Sequence, residues 1–193
     1  MLFDKLSEMV INKKVFSRND VGAGTAPTLE EVLRNREMRV VFQNNLCKKY
    51  PDKVLIVLKV NMPGPVKNNA FVENLLFKGK QHLVSKLDMY GIESIYNKQL
   101  SHLEGLVYAS IVDCSDSKRI KELTTDIEDN SDIGRFMDFD VFINGICVSR
   151  TQIGHNARSC YLCANEAKNC SRNRTHSVEE LHDYMYKIVN ESR

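Results

Sequence analysis

The segment Val54-Leu55-Ile56-Val57-Leu58 sets the first constraint on the fold. Five successive apolar residues, three of them β-branched, lie within the β-rich run Lys53 to Met62, which predicts a buried strand. The rest of the chain must supply the layers that cover it. This is also the longest apolar run, far short of the ~18 residues that cross a bilayer, so a membrane partner is not expected. The 193 residues suffice for one domain, 1–193, that buries roughly 70% of its unfolded-chain surface without covalent staples. Lys and Arg number 27 against 25 Asp and Glu, a net charge of +2, which argues against a nucleic-acid coat protein. Met1 to Val15 interrupts its apolar pattern with Asp4, Lys5 and Glu8, unlike a secretory signal. A cytoplasmic, reducing location is therefore expected, with the six cysteines as thiols or metal ligands.

The expected elements follow from start and stop signals. Asp20 to Pro27 is Gly- and Pro-rich and reads as a loop; its VGAGTA lacks the third glycine of a dinucleotide fingerprint. Thr28 and Glu31 form a capping box for a helix running to about Lys49. In that helix Arg36 falls among Leu29, Val32, Leu33 and Val40, the expected apolar side, and reads as a snorkelling arginine. A second helix is predicted over Ala70 to Tyr90, closed by Gly91. Leu106 to Val112 reads as a strand, Ser117 to Glu128 as a helix and Arg135 to Ile143 as a strand. Asn144-Gly145 predicts a type I′ turn into a hairpin strand, Ile146 to Ile153. A Cys/His/Arg-rich loop over about 156–176 precedes a last helix capped by Ser177 with Glu180. The class is α+β: a mixed sheet flanked by helices.

Asp138-Phe139-Asp140-Val141 sits in the second of those strands. Alternation puts both carboxylates on one face, ~6.5–7 Å apart at the backbone. Aspartate disfavours strands and adjacent anions repel, so the pair is either an exposed strand face or the seat of a cation. Mg²⁺ or Mn²⁺ would suit such hard oxygen donors, together with substrate phosphates. That chemistry is in-line displacement at phosphorus. The strand–helix–strand order resembles the nucleotidyltransferase superfamily of the polymerase-β type. Here the turn before the helix reads Asp113-Cys114-Ser115-Asp116 instead of Gly-Ser, and a third carboxylate is unassigned.

Charge is locally uneven: seven acids against three bases between Ile111 and Ile133, then four bases against one acid between Asn156 and His176. In the basic segment, Cys160, Cys163, Cys170 and His176 have the spacing C-x₂-C-x₆-C-x₅-H. These are ligand types for a structural Zn²⁺, and equally a set of small buried thiols beside a helix start. Arg158, Arg172 and Arg174 flank them and suit bidentate phosphate contacts. Cys47, Cys114 and Cys147 follow no pattern and read as core thiols. Asn61 to Lys67 ends the buried strand in a Pro-Gly-Pro turn, where Lys67 could meet a phosphate.

Taken together, Leu29-Glu30-Glu31-Val32-Leu33, Arg36-Glu37-Met38-Arg39, Asn61-Met62-Pro63-Gly64-Pro65-Val66-Lys67, Gly134-Arg135-Phe136-Met137-Asp138-Phe139-Asp140-Val141, Arg158-Ser159-Cys160-Tyr161-Leu162-Cys163 and Arg172-Asn173-Arg174-Thr175-His176-Ser177 resemble one family. It is the citrate lyase holo-acyl-carrier-protein synthases, or apo-citrate lyase phosphoribosyl-dephospho-CoA transferases, and the likeness spans about Leu29 to Leu181. The resemblance implies transfer of the phosphoribosyl-dephospho-CoA group of 2′-(5″-triphosphoribosyl)-3′-dephospho-CoA to a serine of the citrate lyase acyl-carrier (γ) subunit, releasing diphosphate. A related synthase serves the malonate decarboxylase carrier, and a non-enzymatic zinc-binding module is the alternative of a different class. The resemblance further implies that Asp138 and Asp140 hold Mg²⁺ and activate the serine, and that Arg135 meets the triphosphate. Gly64, Lys67, Arg150, Arg158 and Arg172 are candidate phosphate or CoA contacts. At Phe136 the family motif usually has Leu.

Overall fold

The computed structural model of the chain describes residues 15–191, so all but the last residue of the Met1–Val15 segment discussed above lies outside the described residues. The elements are α1 (Leu29–Lys49), β1 (Val54–Val60), α2 (Ala70–Met89), β2 (Ser94–His102), β3 (Gly105–Val112), α3 (Ser117–Asn130), β4 (Met137–Ile143), β5 (Ile146–Val148), α4 (Ala167–Asn173) and α5 (Val178–Glu191). Short 3₁₀ turns occupy Gly134–Phe136 and Arg150–Ile153. No helix among the described residues is long and apolar enough to cross a membrane.

The strands form one five-stranded sheet in the order β2-β3-β1-β4-β5. β1 is central, and Val54 to Leu58 are wholly buried because helices cover both of its faces. The α+β class is as expected, but every strand pairing is antiparallel where a mixed sheet was anticipated. The strand–helix–strand unit explains the difference. β3 and β4 run in the same direction, yet β1 lies between them and pairs antiparallel with each.

On one face Ile56, Leu58, Tyr108, Phe139 and Val141 pack against Phe71, Leu75 and Leu83 of α2, Ile120 and Ile127 of α3, and Met185 of α5. On the other, Leu55, Val57, Val107 and Ile111 pack under Leu46 and Cys47 at the C-terminal end of α1. The rest of α1 does not lie on the sheet as its pattern suggests. Leu29, Leu33 and Val40 are exposed, and Arg36 and Arg39 turn instead to Glu104 in the β2–β3 turn, at 3.4 and 2.6 Å.

Local signals act where they are strongest. The Thr28 hydroxyl accepts from the Glu31 amide while the Glu31 carboxylate accepts from the Thr28 amide, and Ser177 and Glu180 repeat this reciprocal pair at α5. Gly91 closes α2 at φ +63°, and Asn144 and Gly145 hold the two positive φ values of a type I′ turn. β5 ends at Val148 because a capping box between Ser149 and Gln152 starts the 3₁₀ turn there. The expected strand at Arg135 begins only at Met137, since Gly134–Phe136 wind as a 3₁₀ turn against the end of α3.

That junction is tight. A Cβ at Gly134 would stand 2.1 Å from the Ile127 carbonyl oxygen and 2.8 Å from that of Glu128, both backbone atoms. Gly134→Ala must displace α3 from β4, and urea unfolding should show a loss of about 1–3 kcal/mol or more. Gly145→Ala has open space but a φ of +80°, and should cost less, about 1 kcal/mol.

Candidate functional site

The site grows from an incomplete strand pairing. β5 pairs with β4 over Val141, Phe142 and Ile143 only, so the outer edge of β4 at Met137 and Phe139 has no strand beside it. Buried backbone groups must find partners, and charged side chains provide them. The Phe139 amide donates to Glu128 Oε1 at 2.9 Å, and Lys121 Nζ donates to the Phe139 carbonyl at 2.6 Å. Arg158 Nη1 donates to the Met137 carbonyl at 2.9 Å, and its Nη2 pairs with Glu128 Oε1. Arg150 stands 3.6 Å from Glu128 Oε2 and 2.6 Å from Asp129. Glu128 is 2% exposed, and burial pushes its carboxyl above the usual range despite the opposing pull of Arg158 and Lys121.

Asp138 and Asp140 point to the other face, as alternation requires. Asp138 lies opposite Lys59 in the β1–β4 register and Asp140 opposite Val57. Lys59 Nζ sits between the two carboxylates, 2.9 Å from Asp138 Oδ2 and 2.8 Å from Asp140 Oδ2. The cation that the paired anions call for is thus an ammonium of the chain itself. Lys59 escaped the sequence reading because it follows a five-residue apolar run, where period-two alternation is hidden. Burial alone would depress the lysine, but the two aspartates outweigh it and raise its pKa. Burial likewise works to raise Asp138, and Lys59 followed by Arg158 overcomes it, holding the carboxyl below the usual range.

Two cavities open beside this edge. The first, of about 310 Å³, is lined by Arg135, Arg150, Arg158, His155, Glu128 and Asn61 among others. The second, of about 280 Å³, takes in Gly64, Lys67, Arg174, His176, Val178 and Leu181. Asn61, Tyr161 and Ala167 line both. Tyr161 is held in place there: its hydroxyl donates to the Asn61 carbonyl at 2.8 Å, and its ring stacks on Tyr184 and meets Phe136 edge-on.

The sequence-predicted residues distribute unevenly around these spaces. Arg150 and Arg158 reach the first cavity. So does Arg135, from the 3₁₀ turn rather than from a strand, with Nη2 donating to the carbonyls of Ser159 and Cys160 at 3.0 and 2.5 Å. Gly64 and Lys67 reach the second. Gly64 has φ +78°, and a Cβ there would come within 2.9 Å of Val178. Lys67 donates to the Met62 carbonyl, and burial, reinforced by Arg36, lowers its pKa. Arg172 stands exposed on α4 and lines neither cavity; Arg174, two residues on, does. Asp138 and Asp140 line neither cavity themselves but join the first through Arg158, whose Nη2 is 3.4 Å from Asp138. Glu128 was legible only as one member of the acidic stretch.

The Cys/His segment is folded around its four candidate ligands. Ser159 and Glu166 form an antiparallel bridge, with the Cys160 amide donating to the Asn165 carbonyl at 2.7 Å, so that Cys160 and Cys163 share a tight loop. Cys170 comes from α4, and His176 follows Arg174, whose left-handed backbone ends that helix. One ligand atom from each of the four lies within 4.8 Å of the others. Of the remaining cysteines, Cys47 is buried, Cys114 half-buried and Cys147 exposed on β5, so Cys147 is not a core thiol.

Comparison with known proteins places the chain in a family. The family model described as apo-citrate lyase phosphoribosyl-dephospho-CoA transferase matches residues 27–192. A probable apo-citrate lyase phosphoribosyl-dephospho-CoA transferase of Streptococcus pyogenes serotype M3 is 33% identical over 174 residues, covering 86% of this chain and 88% of that protein. One so named from Vibrio cholerae serotype O1 is 30% identical over 81% of this chain and 93% of its own length. Protein CitXG of Leuconostoc mesenteroides is 27% identical over 86% of this chain, which corresponds to 36% of that longer protein.

The carboxylate–lysine cluster makes a signed prediction. A carboxyl whose folded pKa is depressed contributes stability above its unfolded value, and this is lost as pH falls through the folded one. Asp138 belongs to this class. The stability gap between the wild type and Asp138→Asn should therefore be constant near neutrality and shrink below about pH 4, as read by urea unfolding across pH. A gap that widens on acidification would contradict the assignment.

Proposed function

Because the chain belongs to the apo-citrate lyase phosphoribosyl-dephospho-CoA transferase family, we propose that it moves the phosphoribosyl-dephospho-CoA group of 2′-(5″-triphosphoribosyl)-3′-dephospho-CoA onto a serine of the citrate lyase acyl-carrier subunit. The serine oxygen forms a bond to the innermost phosphorus of the triphosphate, the bond from that phosphorus to the diphosphate breaks, and the hydroxyl proton leaves for a base.

The observation that carries this reading is the convergence of Asp138 and Asp140 on one cation position, beside a cavity walled by three arginines. The fit of a divalent ion rests on the same contacts. Lys59 Nζ shows that one oxygen of each carboxylate can close on a single cation, and hard oxygen donors are the ligands Mg²⁺ or Mn²⁺ takes. Held there, Mg²⁺ would neutralise the diphosphate leaving group and lower the pKa of the attacking hydroxyl.

The other groups have separate tasks. Lys59, displaced from the carboxylates, turns to the incoming phosphates, which replace Asp138 and Asp140 as the anionic partners of its ammonium. Arg135, Arg150 and Arg158 bind the outer phosphates as preorganised donors, their aim set by bonds to Ser159, Asp129 and Glu128. The second cavity offers Met62, Pro63, Val178 and Leu181 with Lys67 and Arg174, a mixture suited to the long dephospho-CoA portion.

Mass spectrometry tests the reading directly. Incubation with apo acyl-carrier subunit, the triphosphoribosyl donor and Mg²⁺ should raise the carrier mass by one prosthetic group, and wild-type protein that leaves the carrier mass unchanged refutes the proposal. Asp138→Asn and Asp140→Asn should each slow the transfer by about 10²-fold or more. Offering the malonate decarboxylase carrier in a parallel reaction identifies the acceptor.

Lys59→Met makes a separate prediction. With the competing ammonium gone, the Mg²⁺ concentration for half-maximal transfer should fall while the maximal rate drops. An unchanged Mg²⁺ requirement would show that lysine and metal do not share the position.

A further inference from the structure

We infer that Cys160, Cys163, Cys170 and His176 bind one structural Zn²⁺ ion per chain, and that this ion braces the loop that lines both cavities. The four ligand atoms already crowd one point. Cys163 Sγ lies 3.5 Å from Cys170 Sγ and 3.3 Å from His176 Nε2, and all four fall within 4.8 Å of each other. Tetrahedral Zn²⁺, with bonds of about 2.3 Å to sulfur and 2.0–2.1 Å to nitrogen, separates its ligands by roughly 3.5–3.8 Å. The observed spacings thus need only small adjustments. All six cysteines of the chain are free thiols, so no disulfide competes for these sulfurs.

The backbone is arranged for the same purpose. The amides of Leu162 and Cys163 point at the Cys160 sulfur from within the loop. Cys160 and Cys170 are buried while Cys163 and His176 are half-buried, so the centre is shielded and its fourth ligand is present. A closed four-ligand shell without an open position marks a structural ion rather than a catalytic one. Three thiolates and Zn²⁺ leave one net negative charge, and Lys168, Arg172 and Arg174 on and beside α4 are at hand to balance it.

The consequence for the site comes through Tyr161. It lies between ligands Cys160 and Cys163, and it is one of the three residues that line both cavities. Arg135 clamps the carbonyls of Ser159 and Cys160, so the metal loop and one cavity arginine are joined directly. The segment spans 17 residues from Ser159 to Thr175 with one short helix and one isolated bridge. Four metal bonds would tie the loop, α4 and His176 to one point, in addition to the hydrogen bonds that Arg135 and Tyr161 make.

Elemental analysis of the full-length protein, purified without added metal, should find close to one zinc per chain. Replacement by Co²⁺ should give the thiolate-to-metal charge-transfer absorption and intense visible bands of a tetrahedral, sulfur-rich centre. Cys163→Ser should lose most of the metal, whereas Cys114→Ser should keep it. If Cys163→Ser does not fold, X-ray absorption on the wild type still counts the ligands, and three sulfurs with one nitrogen is the expected shell. Removing the ion with a strong chelator should leave the far-ultraviolet circular dichroism of the sheet nearly unchanged while increasing protease cleavage between Ser159 and Thr175. Metal-free wild-type protein that takes up no Co²⁺, or an all-oxygen shell, overturns the proposal. None of these readouts depends on transferase activity, so this inference and the proposed reaction can fail independently.

Discussion

The short pairing between β4 and β5 is the constraint from which the rest of the site follows. A strand edge inside a protein presents amides and carbonyls that must be satisfied, and leaving one unpaired costs about 1–3 kcal/mol. Here three charged side chains, from Glu128, Lys121 and Arg158, take the place of the missing strand. Because Glu128 and Lys121 both belong to α3 while Arg158 belongs to the following loop, satisfying the edge also fixes the helix and the loop relative to the sheet. The cavity between them is the space this arrangement leaves. Its arginines are not a loose surface patch: Arg158 and Arg150 are anchored on a buried carboxylate, and breaking such a group by removing one partner costs about 3–5 kcal/mol.

The parts of the fold that the sequence disclosed are those governed by short-range rules. Reciprocal capping at Thr28 and Ser177, the Asn144-Gly145 turn and the continuous apolar run of β1 each depend on a few adjacent residues, and each holds. β2 escaped because Ser94 to His102 is a largely exposed edge strand, with no buried face to impose an alternation. The antiparallel pairing of β1 between β3 and β4 is a long-range choice that no local pattern records. α1 misled for the opposite reason. Its apolar residues are regular enough to suggest a core stripe, yet its contacts with the sheet are confined to its last turns.

The site divides in the same way. That Asp138 and Asp140 share a face follows from the pleat, and that they need a cation follows from electrostatics. Which cation is a question of register. Lys59 lies opposite Asp138 only because β1 and β4 are neighbours in this alignment, and a shift by one residue would turn its side chain to the other face. Glu128 was hidden for a related reason. A carboxylate in an acidic helix looks solvated until the free edge of a strand is known to lie against it.

These two findings bear on how a polyphosphate could be received. A pair of bare carboxylates would repel an incoming triphosphate, and a fully basic pocket would hold the released diphosphate too firmly. The observed arrangement avoids both extremes by pairing most of its charges: Lys59 on Asp138 and Asp140, Arg158 on Glu128 and Asp138, Arg150 on Asp129. In the proposed reaction Asp138 and Asp140 would hold the donor's divalent counter-ion while Lys59 turned to phosphate, so that no charge need be left alone in a low-dielectric space. Exchange of that kind is favourable only if the cationic groups keep their places when their partners change. The carbonyl contacts of Arg135 and Arg158 to Ser159, Cys160 and Met137 provide that fixity, because they persist whichever carboxylate the network gives up.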